Sequence, residues 1–143
     1  METAYNLNRF LEAQETKFHD ALSEIKRGKK QTHWMWFIFP QIDGLGISET
    51  TKFYAIKDIT ETTLFLQHPV LGNRLIEITK ALLEIDGKTA NEILGTPDDR
   101  KLKSSMTLFS ILKNANPIFQ KVLDKYYEGT KDEKTLQLLH FQK

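Results

Sequence analysis

The chain has no cysteine among its 143 residues. That absence excludes a disulfide framework, a thiolate metal site and a cysteine nucleophile. Neither sign of charge dominates: the formal net charge is +1, so no global field draws the protein toward nucleic acid or a membrane surface. Long apolar runs are missing as well. The longest, Trp34 to Phe39, falls far short of the roughly 20 residues a membrane-spanning helix requires. The first ten residues carry Glu2, Asn6, Asn8 and Arg9 without an apolar stretch, a pattern that fits no signal peptide or anchor. By elimination a soluble, cytoplasmic protein is expected. No internal repeat, low-complexity tract or flexible linker interrupts the chain, so one domain over 1–143 is expected. HExxH, CxxC, Walker-type and dinucleotide-type glycine motifs are all absent, and no metal or cofactor is expected.

What the chain does contain is dense helix punctuation. Asn6 or Asn8 suits the cap of a first helix to about Arg27, with Gly28 as its stop. Ser48 suits the cap of a helix through about Lys57, and Thr60 that of a helix to Gln67. His68-Pro69 opens a long helix ending near Ile85, just before Gly87. Thr89 with Glu92 and Thr130 with Glu133 read as capping boxes. Thr96-Pro97-Asp98-Asp99 and Asn116-Pro117 each place a cap before a proline. Few segments alternate with period two. The expected fold class is therefore all-α: a single compact domain of about seven or eight helices, with a central buried helix following Pro97. The stretch from His33 to Ile42 is apolar all round and fits a buried helix or a short strand equally well.

Projected onto helical wheels, three of these helices turn unexpected residues inward. Gln14 lies in the middle of the face formed by Leu7, Phe10, Leu11, Phe18, Ala21, Leu22 and Ile25. Arg74 falls within the stripe of Val70, Leu71, Leu75, Ile78, Ala81, Leu82 and Ile85. After Pro97, Leu102, Met106, Leu108, Phe109, Ile111 and Leu112 cover most of the circumference; Lys101, Ser104 and Ser105 lie inside that arc, and Lys103, Thr107 and Ser110 outside it. A buried charge without a partner costs several kcal/mol, so each such group must be paired or line a cavity. The bland reading is internal pairing: Gln14 and the serines to backbone carbonyls, Arg74 to Asp98 or Asp99, Lys101 snorkelling from the helix end.

The segment Thr32-His33-Trp34-Met35-Trp36-Phe37-Ile38-Phe39-Pro40-Gln41 holds both tryptophans. The indoles suit either a pocket wall that stacks on a flat ligand or core packing with each N–H bonded to an acceptor. His33 is a candidate proton carrier and Asp99 a candidate general base, although a turn role and a helix-dipole role account for them without chemistry. His19 and His140 read as surface residues, and His68 as a cap. The basic group Lys26, Arg27, Lys29 and Lys30 reads first as cations at a helix C-terminus.

These segments, together with Gly44-Leu45-Gly46, Tyr54-Ala55-Ile56, His68-Pro69-Val70-Leu71-Gly72, Arg74-Leu75 and Pro97-Asp98-Asp99 through Lys101-Leu102 to Ser104-Ser105-Met106-Thr107-Leu108-Phe109, resemble the bacterial and fungal family catalogued as domain of unknown function 1810. The resemblance runs from Arg9-Phe10 and Ala13-Gln14 to Leu139, with no departure in the main motifs. It implies a mainly helical single domain and no established activity; a "calpastatin" label carried by some members finds no support in this sequence. The family signatures also contain Gln14, Arg74, Lys101, Ser104 and Ser105. From the residues, three functions compete. One is a pocket for a small anionic, nucleotide-like or phosphorylated molecule lined by Gln14, His33, Trp34, Trp36, Gln41, Arg74, Lys101, Ser104 and Ser105, with hydrolysis by His33 or Asp99 as an extension. Another is a protein-interaction module with an exposed aromatic patch. The last is a core in which every polar group is paired internally.

Overall fold

The structure, a computed structural model, describes residues 5–140. The expectations resting on Met1 to Ala4 and on Phe141 to Lys143 lie outside the described residues. Nine helices follow in order among those described: α1 (Asn8–Lys26), α2 (Met35–Ile38), α3 (Glu49–Tyr54), α4 (Ile59–Gln67), α5 (Leu71–Leu83), α6 (Ala90–Leu94), α7 (Asp98–Ser110), α8 (Ile118–Tyr127) and α9 (Glu133–His140). The only β-type pairing among them is an isolated parallel bridge between Ile42 and Ile56.

The caps agree with the sequence in part. Ser48 accepts from the Thr51 N–H, and Thr89 with Glu92 forms a complete capping box. Gly28 ends α1 at φ +80°, a conformation other residues reach only with strain. His68 does cap, its Nδ1 accepting from the backbone N–H of Val70 and Leu71. Elsewhere the caps shift. Leu7, not Asn6 or Asn8, precedes α1, and no side chain bonds there. Asp58 replaces Thr60 as the cap of α4, because its carboxylate reaches the Glu61 N–H. Asp132 replaces Thr130 before α9, accepting from both the N–H and the hydroxyl of Thr135. A carboxylate is the stronger acceptor at a helix N-terminus, so it prevails over a nearby hydroxyl.

The ambiguous segment is neither one helix nor one strand. α2 stops after a single turn because Phe39 precedes Pro40, which disfavours the helical region for the residue before it; Phe39 sits at φ −123°, ψ 75°. The chain then extends to the Ile42–Ile56 bridge, where Asp43 N–H donates to Ile56 and Ile56 N–H to Gln41. Residues 43–55 thus form a loop with a closed neck, carrying α3, which has no buried residue. A buried ion pair secures its far side. Arg9 meets Glu61 at 2.9 Å and also donates to the carbonyls of Phe53 and Ala55.

The helix after Pro97 is central. α7 packs against α2, α4, α6, α8 and α9. Thr107, placed by the wheel outside the apolar arc, is fully buried. Its hydroxyl donates to the Lys103 carbonyl and accepts the Asp132 N–H, since the chain leading into α9 covers the side that would otherwise face water. At the corner between α4 and α5, Gly72 lies directly under the Leu66 carbonyl.

Candidate functional site

α7 positions the densest group of predicted residues. Pro97, Arg100, Lys101 and Ser104 recur at the three- and four-residue spacing that keeps side chains on one helical face. That face borders an open cavity of about 250 Å³, lined also by Gln41, Leu45, Gly46 and Thr51 of the necked loop and by Asp132 and Lys134 at the start of α9. Gln41 and Thr51 also border a narrow slot beside Trp36 and Tyr54. The Lys101 ammonium sits 5.3 Å from the centre of the Trp36 ring. Trp36, Gln41, Lys101 and Ser104 are therefore brought together.

The charges around this cavity are not balanced. Arg100 and Lys134 border it as exposed side chains, and neither enters an ion pair among the described residues. Lys101 approaches Asp98 at 3.8 Å, but that carboxylate already holds Lys30 at 2.9 Å. The one acid in the cavity wall, Asp132, is engaged in capping α9. Ser104 donates its hydroxyl to the Arg100 carbonyl at 3.2 Å, which leaves its oxygen able to accept. The Gln41 carbonyl takes the Ile56 N–H, and its side-chain amide has no hydrogen-bond partner among the described residues.

The other predicted residues lie apart from this cavity. Gln14 is buried and donates to the Phe37 carbonyl at 2.8 Å, tying α1 to α2. Arg74 is half-buried at the edge of its stripe, 3.4 Å from the Gln14 Oε1 and over the Phe18 ring, with neither Asp98 nor Asp99 as its partner. His33 is exposed. Asp99 turns toward α6, accepting from Asn91 and from the Arg100 N–H. Ser105 is buried, and its hydroxyl has no hydrogen-bond partner among the described residues. Replacing Ser105 with alanine should leave stability within about 0.5 kcal/mol of wild type or raise it, because the hydroxyl is desolvated without return. A urea midpoint corresponding to a loss above about 1 kcal/mol would show that the hydroxyl is bonded after all.

Trp34 is fully buried, and its indole N–H donates to Glu24 at 2.9 Å. Glu24, itself buried, also accepts from the N–H groups of Gln31 and Thr32 and from the Thr32 hydroxyl. Burial acts to raise this carboxyl. The donors of Thr32, Gln31 and Trp34 outweigh it and hold the group at about 2. The basic group beside it also resolves: Lys30 is drawn inward between Asp98 and the Trp34 ring, whereas Arg27 and Lys29 stay exposed.

Sequence reasoning overlooked Arg100, Lys134 and Asp132. For Arg100 a signal existed: its spacing to Pro97 and Ser104 places it on the face of Lys101. For Lys134 there was none, since only the packing of α9 on α7 brings it there. A larger cavity of about 570 Å³ lies near the start of α4 and along α9, with Ile59, Ile111, Leu136 and Leu139 among its walls. It contains none of the predicted residues. Among the described residues no group of three or more potential metal ligands occurs, and no helix is long and apolar enough to cross a membrane.

Residues 4–139 match the family described as "Protein of unknown function (DUF1810)". The chain belongs to that family. Its fold is similar to the crystal structure of the conserved hypothetical protein Rv1873 from Mycobacterium tuberculosis. The TM-score is 0.94 and the sequences are 43% identical over 96% of this chain and 99% of that one. No curated protein matches. The fold of the relative agrees with the all-helical class, and neither description names a ligand or a reaction.

Proposed function

We propose that this family member binds a small anionic molecule, of the size of a phosphorylated metabolite, in the cavity between the necked loop, α7 and α9. The observation that carries this reading is the convergence of Arg100, Lys101 and Lys134 on a space whose one acidic wall residue is already engaged. Cations grouped in this way favour phosphate or carboxylate through charge-assisted hydrogen bonds. Ser104 and the Gln41 amide add neutral polar contacts. The volume of about 250 Å³ lies just below the usual range for small-molecule sites, roughly 300–1,000 Å³, which favours a compact ligand. A cytoplasmic location, expected from the sequence, suits such a molecule.

The reading is one of binding, with no reaction assigned. His33 and Asp99 do not border the cavity, so neither acid–base candidate of the hydrolytic extension stands there. The interaction-module reading rests on exposure of the two indoles; Trp34 is fully buried, whereas Trp36 is half-buried.

Thermal denaturation with inorganic pyrophosphate and ribose 5-phosphate tests the proposal. At a ligand concentration about 100-fold above Kd, wild type should gain about 2.7 kcal/mol, a shift of several degrees. The double variant Arg100→Met, Lys101→Met should lose most of that shift, and Arg74→Met should keep it, since Arg74 stands outside the cavity. Absence of any shift with wild type, or an equal shift in the double variant, would overturn the assignment.

A further inference from the structure

Gln41 differs from the rest of the cavity wall. It is half-buried, held by its backbone at the neck of the loop through the Ile56 N–H, and its side-chain amide has no bonding partner among the described residues. An amide presents one acceptor beside one donor pair. The amide atoms of Gln41 reach solvent and are not committed to another part of the protein, so they can meet a ligand edge that offers a donor next to an acceptor. Simple phosphosugars offer scattered hydroxyls instead. Gln41 also stands where the cationic cavity meets the slot walled by Trp36 and Tyr54, so the polar edge is read beside aromatic surface. The cations Arg100 and Lys134 belong to the other walls, on α7 and α9.

On the reading that this cavity binds an anion, we infer that its ligand is a nucleoside monophosphate. The amide of Gln41 would meet the hydrogen-bonding edge of the base, and Arg100, Lys101 and Lys134 would hold the phosphate. Every base offers a donor beside an acceptor; adenine, with its amino group next to a ring-nitrogen acceptor, is one that a glutamine amide matches in two bonds. The phosphate contributes charge and the base contributes selectivity.

Isothermal titration of the full chain with AMP and with ribose 5-phosphate decides the matter. The expected result is that AMP binds wild type about tenfold or more tightly than ribose 5-phosphate, the worth of one good bidentate contact. Gln41→Leu should shrink that gap to less than about threefold while the ribose 5-phosphate affinity stays within about twofold. Gln41→Glu, of nearly equal size and lacking the donor, should also narrow it, which guards against a leucine variant that fails to fold. Equal affinity of wild type for the two compounds overturns the inference and leaves the anion pocket standing, as does an equal loss for both in Gln41→Leu. Failure of both compounds to bind overturns the pocket as well as the base.

Discussion

Gly72→Ala is expected to destabilise the protein by about 3–5 kcal/mol, the largest effect of any single added methyl group that the fold makes apparent. A Cβ at this position would lie 1.9 Å from the Leu66 carbonyl oxygen and 2.8 Å from its carbon. Both are backbone atoms near the end of α4, so no rotamer change relieves the overlap. α5 would have to move away from α4, and α5 also packs on α1 and α8. Helix propensity works the other way, since alanine exceeds glycine by about 1 kcal/mol in a helix interior. The clash outweighs that gain because two backbones cannot share the space. For a domain of this size the predicted cost corresponds to a fall in Tm of about 10–20 °C. Calorimetry checks it, and a drop below about 3 °C would show that the α4–α5 corner is looser than the described geometry.

Removing the carboxylate of Glu24 should be comparably damaging. Four donors converge on it: the N–H groups of Gln31 and Thr32, the Thr32 hydroxyl and the Trp34 indole. Glu24→Gln can keep an oxygen where the N–H groups of Gln31, Thr32 and Trp34 meet, but it removes the charge that strengthens these bonds and sets an amide N–H₂ opposite the Thr32 hydroxyl, which must turn to accept. The expected loss is about 2–4 kcal/mol, the scale of a broken buried charged network, accompanied by a changed Trp34 emission. The pH dependence has a definite sign. The folded-state value of Glu24 is lowered to about 2 from the ordinary 4.5. Its contribution is therefore complete above about 4.5 and disappears as pH falls through that window toward 2. Wild-type stability should decline across that range more steeply than that of Glu24→Gln, as measured by urea midpoints from pH 5 to pH 2.5. Parallel curves for the two proteins would show that the carboxylate carries no such linkage.

The Glu24 site also explains why the aromatic segment was open to two readings. A sequence shows that two indoles need acceptors, but not where the acceptors are. Glu24 reads from the wheel as one more residue on a surface helix. It becomes an acceptor because the chain reverses after Gly28 and brings Gln31 to Trp34 back against α1. Arg9 and Glu61 are a similar case. Each is an ordinary charged residue on its own helix, and they meet at 2.9 Å only because α1 and α4 approach the same loop.

By itself the sequence determined the helical class, the approximate extent of most helices, the centrality of the helix after Pro97 and the family. These depend on local spacing: apolar residues at a 3.6-residue period, caps within one turn, and glycine or proline where a helix must stop. Only the tertiary structure decided which inward-facing polar groups share a space. Arg74 and Lys101 both fall within apolar arcs, yet Arg74 is drawn to Gln14 and Phe18, whereas Lys101 faces a cavity completed by Gln41 and Lys134. The physical reason is that a wheel fixes an azimuth about one axis. The neighbour at that azimuth depends on how distant helices pack, through contacts between residues far apart in the chain.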